Sequence, residues 1–163
     1  MEITALQPVG NGKHMRMTLQ KNGYSLSAIM FSVSPESFPF CESDKVDLAV
    51  RLSVGEYMGK AKINIQVKDI KFSSLDDEAV IMSEKDYEDF SSGEELSDEV
   101  IERINVSREL CGDIYRFMRV NNKWHYSAEV LCYRLGLYAE NIVNCRIALD
   151  VLTELEIINF NDG

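Results

Sequence analysis

The stretch Val46-Asp47-Leu48-Ala49-Val50-Arg51-Leu52-Ser53-Val54 decides how the front of this chain is read. Its branched apolar side chains recur at every second residue, so an extended backbone gathers all five on one face and leaves Asp47, Arg51 and Ser53 on the other. A helix would scatter them around its axis. Downstream, Gly55-Glu56-Tyr57-Met58-Gly59 reads as a turn. Ile63, Ile65 and Val67 then resume the period of two until the phase slips before Ile70 and Phe72, as a bulge produces. Upstream, Met15, Met17 and Leu19 alternate with His14, Arg16, Thr18 and Gln20. Asn22-Gly23 is a two-residue hairpin signal, Tyr24 to Phe31 supplies the returning strand, and a further strand is expected around Glu2 to Gln7. Pro35 and Pro39 break the pattern into a loop.

Five strands, with the longest connection between the third and fourth, predict a five-stranded Greek-key β-barrel of the OB type over residues 1–75. From about Val106 the spacing becomes helical. Ser107 is placed to cap a helix carrying Leu110, Cys111, Ile114, Tyr115, Phe117 and Met118 on one stripe. A second helix opens at Ser127 and stops at Gly136. A third begins near Asn141 and ends before Ile157-Ile158-Asn159-Phe160, which reads as extended. Residues 104–163 are therefore expected to form a winged-helix-like three-helix domain, and the whole chain is α+β. The closing Asn161-Asp162-Gly163 is a hairpin-turn sequence with no strand after it, which reads as a cut end of a longer protein.

Composition bounds the rest. A chain of 163 residues with 45% hydrophobic content and 3 Pro is globular and of a size for two small domains. Apolar runs such as Ala28-Ile29-Met30-Phe31 fall far short of a membrane-spanning helix, and no leader precedes the first strand, so a cytoplasmic location is expected. Cys41, Cys111, Cys132 and Cys145 contain no CxxC pair and read as free core thiols; with His14 and His125 as the chain's histidines, no zinc ligand set is expected. The net charge of −10 is unevenly spread. Residues 1–75 hold nine Lys/Arg and seven Asp/Glu, whereas residues 76–102 hold one Lys and twelve Asp/Glu. Self-repulsion predicts an extended acidic linker over residues 76–103, or else an acidic peptide that competes for the basic face of the barrel.

Gly12-Lys13-His14-Met15-Arg16-Met17-Thr18-Leu19 resembles the GKHLKL-type strand of the OB domain in the RecJ family, the single-stranded-DNA-specific exonucleases among the DHH phosphoesterases. The resemblance continues through Ala28-Ile29-Met30-Phe31, Asp44-Lys45-Val46-Asp47-Leu48 and Val67-Lys68-Asp69-Ile70, covering residues 2–72. The part from Ser107 to Ile158 looks like the extra helical domain that some of these exonucleases carry. Their hydrolytic chemistry resides in a metal-binding core, where divalent manganese or magnesium is expected. No Asp-His-His string occurs here. The resemblance thus implies a non-catalytic, cofactor-free C-terminal portion of such an exonuclease, serving DNA repair and recombination.

OB domains grip single strands on the second and third strands and on the loops between the first and second and the fourth and fifth. Lys13, His14 and Arg16, with Tyr57, Lys60 and Lys62 on the later hairpin, are the expected nucleic-acid-binding residues: amines meet phosphates and a base stacks on Tyr57. His14 fits a hydrogen-bonded structural role slightly better than a DNA contact. Trp124-His125-Tyr126 reads as an anchor of its interhelical loop rather than a stacking platform. Arg146 is the one cation near the start of the third helix, too few for reading a DNA groove. Expected partners are single-stranded DNA, the catalytic core of the parent chain and repair proteins, with no membrane. The competing reading is a protein–protein interaction module of a repair assembly without direct DNA binding.

Overall fold

A computed structural model describes residues 1–93, 95–122 and 124–159, with the Tyr57 side chain excluded. The chain divides into two compact units, Met1–Ser74 and Leu75–Gly163.

The first unit is one five-stranded sheet in the order β1-β2-β3-β5-β4, with β1 Glu2–Val9, β2 His14–Lys21, β3 Tyr24–Phe31, β4 Val46–Tyr57 and β5 Lys60–Phe72. Neighbours are antiparallel except β3 and β5, which run parallel at Ile29↔Gln66 and Met30↔Val67. The alternation of each strand sets its inner face: Met15, Met17, Leu19, Ala28, Val46 and Val67 are buried. The register slip expected on the last strand is present, since Ala49 faces Asp69 while Val50 faces Val67, leaving Lys68 as the extra residue. The expected turn at Gly55–Gly59 is shorter. β4 runs on through Gly55, and the reversal is made by Met58 and Gly59 at φ 52° and 74°, the left-handed pair that a tight hairpin requires. Gly55 is needed in the strand for another reason: a Cβ there would stand 2.7 Å from the Asn64 amide nitrogen.

The expected closed barrel is not formed. β1 and the start of β4 meet over a short seam. Met1 and Val46 exchange backbone hydrogen bonds of 2.6 and 2.7 Å, Ile3 N donates to Asp44 O at 2.9 Å, and Ser43 N donates to Ile3 O at 2.8 Å. Beyond it, among the described residues, no strand pairs with the outer edge of β4. The loop from Ser32 to Lys45 covers one end of the inner face with Phe38 and Phe40, and the Phe40 ring lies 4.6 Å from Phe72.

The second unit is helical: α1 Asp77–Ser92, α2 Asp98–Ile104, α3 Arg108–Val120, α4 Ala128–Arg134 and α5 Ile142–Glu154, with a 3₁₀ turn at Ala139–Asn141 before α5. The acidic stretch is therefore no linker, and α1 and α2 add to the three expected helices. Its carboxylates sit where a helix accepts them. Asp76 caps α1, receiving Ala79 N at 3.1 Å, with Asp77 and Glu78 in the first turn. Ser97 caps α2, with Asp98 and Glu99 following. Self-repulsion along the sequence is outweighed by these termini and by packing. Ser83 is buried and donates to Ala139 O at 2.9 Å. Asn144 of α5 donates to Arg103 O and Asn105 O at the end of α2.

α5 is the core helix, its Val143, Cys145, Ala148 and Leu149 almost fully buried against α1 to α4. Ser107 caps α3 as expected, and Gly136 ends α4: Gly136 N donates to Tyr133 O and Leu137 N to Cys132 O, both at 3.0 Å, the paired bonds of a Schellman stop. α5 stops in the same way on Glu156 at φ 56°, with Ile157 N donating to Leu152 O. Ile157 and Ile158 are thus tied back to the helix and form no strand. Phe160 and the expected turn at Asn161–Gly163 lie outside the described residues.

Candidate nucleic-acid interface

Inner and outer residues alternate on every strand, so the polar phase of each builds one outer surface. The pairings place Gln7, Arg16, Ile29, Gln66 and Arg51 in a row across five strands of that surface. Arg16 and Arg51 are both exposed. They stand three strand spacings apart, roughly 14 Å if the sheet were flat. Arg51 was not among the expected site residues. Its phase on β4 is legible in the sequence; its alignment with Arg16 requires the parallel β3–β5 pairing, which joins residues 37 apart, as Ile29 with Gln66, and leaves no local mark.

The expected residues fall into two groups. Lys13, His14 and Arg16 lie at the β1–β2 end, where Gly10, Asn11 and Gly12 all take positive φ. Lys60 and Lys62 lie at the β4–β5 hairpin, exposed on the same outer face as Ser53, Asn64 and Gln66. His14 faces Phe31, and Lys62, extrapolated from the Ile29–Gln66 pairing, lies level with Ser25. The groups are therefore separated by about six residues along β3, roughly 20 Å of strand. Arg16 and Arg51 occupy the interval. Of Tyr57 only the backbone is placed, opposite Lys60 at the end of β4; the stacking expected of its ring lies outside the described residues.

His14 is built into the loop. Ser32 N donates to its Nδ1 at 3.0 Å, its ring meets the Phe31 ring edge-on at 4.9 Å, and it lies so close to Gly10 that a Cβ there would come within 2.8 Å of Cδ2. An accepting Nδ1 puts the proton of the neutral ring on Nε2. Its position sets the loop that carries Lys13, whose carbonyl also receives Val33 N at 3.1 Å.

In the helical unit, Arg146 lies over the Tyr87 ring at 4.0 Å, and the Tyr87 hydroxyl donates to Asp150 at 2.7 Å. Burial and the neighbouring Asp150 carboxylate raise the phenol above its ordinary value. The cation nearest the start of the third expected helix is thus engaged with α1. Trp124 Nε1 donates to Tyr126 O at 3.1 Å and its ring meets Phe117 edge-on at 4.8 Å, so it anchors its loop. Among the described residues no three His, Cys, Asp or Glu are grouped to hold a metal ion, and no helix is long and apolar enough to cross a membrane.

A partly open five-stranded Greek-key sheet with its polar groups on the outer face defines the first unit as an OB domain. Residues 1–69 match the family model described as the RecJ OB domain, so the first unit is similar to that domain. No curated protein matches the chain. Among solved structures, the aspartyl tRNA synthetase from Entamoeba histolytica is similar at a TM-score of 0.34 and 15% identity, over 76% of this chain and 34% of that one. This chain thus spans about a third of that protein.

Proposed function

We propose that the first unit holds single-stranded nucleic acid, DNA in the first instance, as the accessory part of a RecJ-type 5′-3′ exonuclease in DNA repair and recombination. The observation that carries this reading is the match of residues 1–69 to the RecJ OB domain. The cross-sheet row of Arg16 and Arg51, flanked by Lys13 at one end and by Lys60 and Lys62 at the other, supports it. A strand lying across the outer face would meet guanidinium groups at mid-sheet and amines at either end. Contacts of this kind read charge and spacing rather than sequence, so binding is tolerant of sequence. The second unit, whose Arg146 is occupied by Tyr87 and whose α1 and α2 carry the acidic excess, serves as a protein-contact domain in this reading.

Fluorescence anisotropy of labelled oligo-dT against the full chain tests the proposal. Non-specific modules bind with Kd of about 10⁻⁴ to 10⁻⁶ M, weakening with a logarithmic salt slope near −0.7 per phosphate neutralised. The variant Arg16→Glu/Arg51→Glu is expected to lose binding with its circular dichroism unchanged. Absence of binding by the parent chain at low salt overturns the proposal in favour of the protein-interaction reading, which the net charge of −10 favours.

A further inference from the structure

β4 and β5 turn on two residues, Met58 and Gly59, at φ 52° and 74°. The hairpin between β2 and β3 turns on Asn22 and Gly23 at nearly the same angles, 52° and 81°. Asparagine and glycine suit this left-handed pair, because a Cβ crowds the backbone there and the short Asn side chain tolerates it best. Among the described residues, the other non-glycine positions at positive φ are Asn11, Ser32, Ser43 and Glu156, all polar. Met58 is the apolar exception. Burial does not account for it, since it is 85% exposed. A flexible thioether held at a hairpin tip against the local backbone preference is a contact group for an apolar surface outside the unit.

The flanks of the tip indicate what carries that surface. On the outer face Lys60 stands opposite Tyr57 and Lys62 opposite Gly55, both exposed and roughly 3 and 10 Å behind the reversal. Asn64 follows, and then Arg51 opposite Gln66. From Val50 to Gln66 the hairpin carries the cations Arg51, Lys60 and Lys62 against one carboxylate, Glu56. Among the described residues β5 pairs with β3 only at Gln66 and Val67, so the hairpin runs on past that ladder to its tip. We infer, on the reading that this unit holds single-stranded nucleic acid, that the hairpin seats the end of a duplex from which a single strand continues. Met58 covers the face of the terminal base pair, while Lys60 and Lys62 hold phosphates of the strand that runs back along the outer face toward Arg51 and Arg16. The end of a duplex is a flat apolar face ringed by phosphates, and methionine is among the side chains that pack against base steps. Met58 lies beyond the last cation of the line, where a duplex would stop rather than pass. Cations directly behind the tip favour such a partner over an apolar groove of another protein.

Fluorescence anisotropy of the full chain with three labelled DNA probes tests this: oligo-dT, a blunt stem-loop, and the same stem-loop carrying that oligo-dT as an overhang. The overhang probe is expected to bind at least tenfold tighter than either of the others. Met58→Asn gives the turn its favoured residue and so keeps the fold. It is expected to abolish the preference while oligo-dT binds as it does to the parent, and Met58→Leu is expected to retain the preference. Because the lost contact is apolar, the difference between parent and Met58→Asn is expected to persist as salt rises. Binding of oligo-dT with no preference for the overhang probe overturns this inference alone. Absence of binding to all three probes overturns the nucleic-acid reading with it. A preference that survives Met58→Asn belongs to the cations and overturns the role of Met58, and an equal loss on oligo-dT overturns the duplex end in favour of unpaired bases.

Discussion

Arg103 holds both oxygens of the Asp86 carboxylate, Nε donating to Oδ2 at 2.7 Å and Nη2 to Oδ1 at 2.8 Å. Asp86 is nearly inaccessible, the Arg103 side chain 40% exposed. This fork links α1 to α2 within the most acidic stretch of the chain, and the flat guanidinium satisfies a carboxylate that burial would otherwise penalise. Asn144 then binds the Arg103 carbonyl from α5. Asp86→Ala is expected to lower the stability of the helical unit by about 1–3 kcal/mol, read from urea unfolding followed at 222 nm. Arg103→Lys is expected to leave a measurable loss, because an ammonium cannot reproduce the two-point geometry.

Glu129 gives the helical unit a pH dependence. Burial first, and the Glu84 carboxylate second, raise its carboxyl above the ordinary range. The folded chain thus keeps a proton that the unfolded chain has released, so this residue's contribution declines as pH rises from the ordinary glutamate range through the folded value. Its penalty is therefore greater at neutral pH than in the acid range. Glu129→Gln is expected to raise the thermal midpoint relative to the parent at pH 7 and to give no such gain at pH 4. A gain of equal size at both values would rule out the carboxyl as its source.

The thiols separate by reactivity. Cys41 is exposed, whereas Cys132 and Cys145 are fully buried. A hydrogen bond with Cys145, followed by burial, raises the Cys132 thiol far above its ordinary value, and only the thiolate reacts readily. Iodoacetamide at pH 8 is expected to label Cys41 at once and Cys132 and Cys145 only on unfolding, as peptide mass spectrometry would show.

Gly10 and Gly12 differ in what surrounds them. Both hold positive φ, but a Cβ on Gly10 would run into the His14 ring, while one on Gly12 meets nothing within 4 Å. Gly12→Ala is expected to cost about 1–2 kcal/mol for the left-handed backbone alone. Gly10→Ala is expected to cost more and to move the His14 Hε1 resonance in NMR spectra. Equal costs would mean that the ring yields freely.

Strand and helix phases were legible wherever burial repeats locally. The alternation at Met15–Leu19 and Val46–Val54, the Asn22-Gly23 hairpin, the bulge before Ile70 and the caps at Ser107 and Gly136 each depend on residues a few positions apart. The acidic stretch was misread for a related reason. Its charge is conspicuous in the sequence, while Asp76 and Ser97 acting as caps, and Arg103 waiting for Asp86, become visible only with the chain folded. The candidate surface was half legible: the outer phase of Arg16, Lys60 and Lys62 follows from period two, but their separation and the alignment of Arg51 with Arg16 do not.

By itself the sequence determined the five β segments, the faces they bury, the later helices and the likeness to the RecJ OB domain. It could do so because backbone preference and side-chain alternation act over a few residues. Only tertiary structure decided that the sheet stays open along β4, that the acidic run folds into α1 and α2, and which cations share a row. Those outcomes depend on pairings between distant segments, Met1 with Val46, Ile29 with Gln66 and Asp86 with Arg103, whose energies arise only when the partners meet.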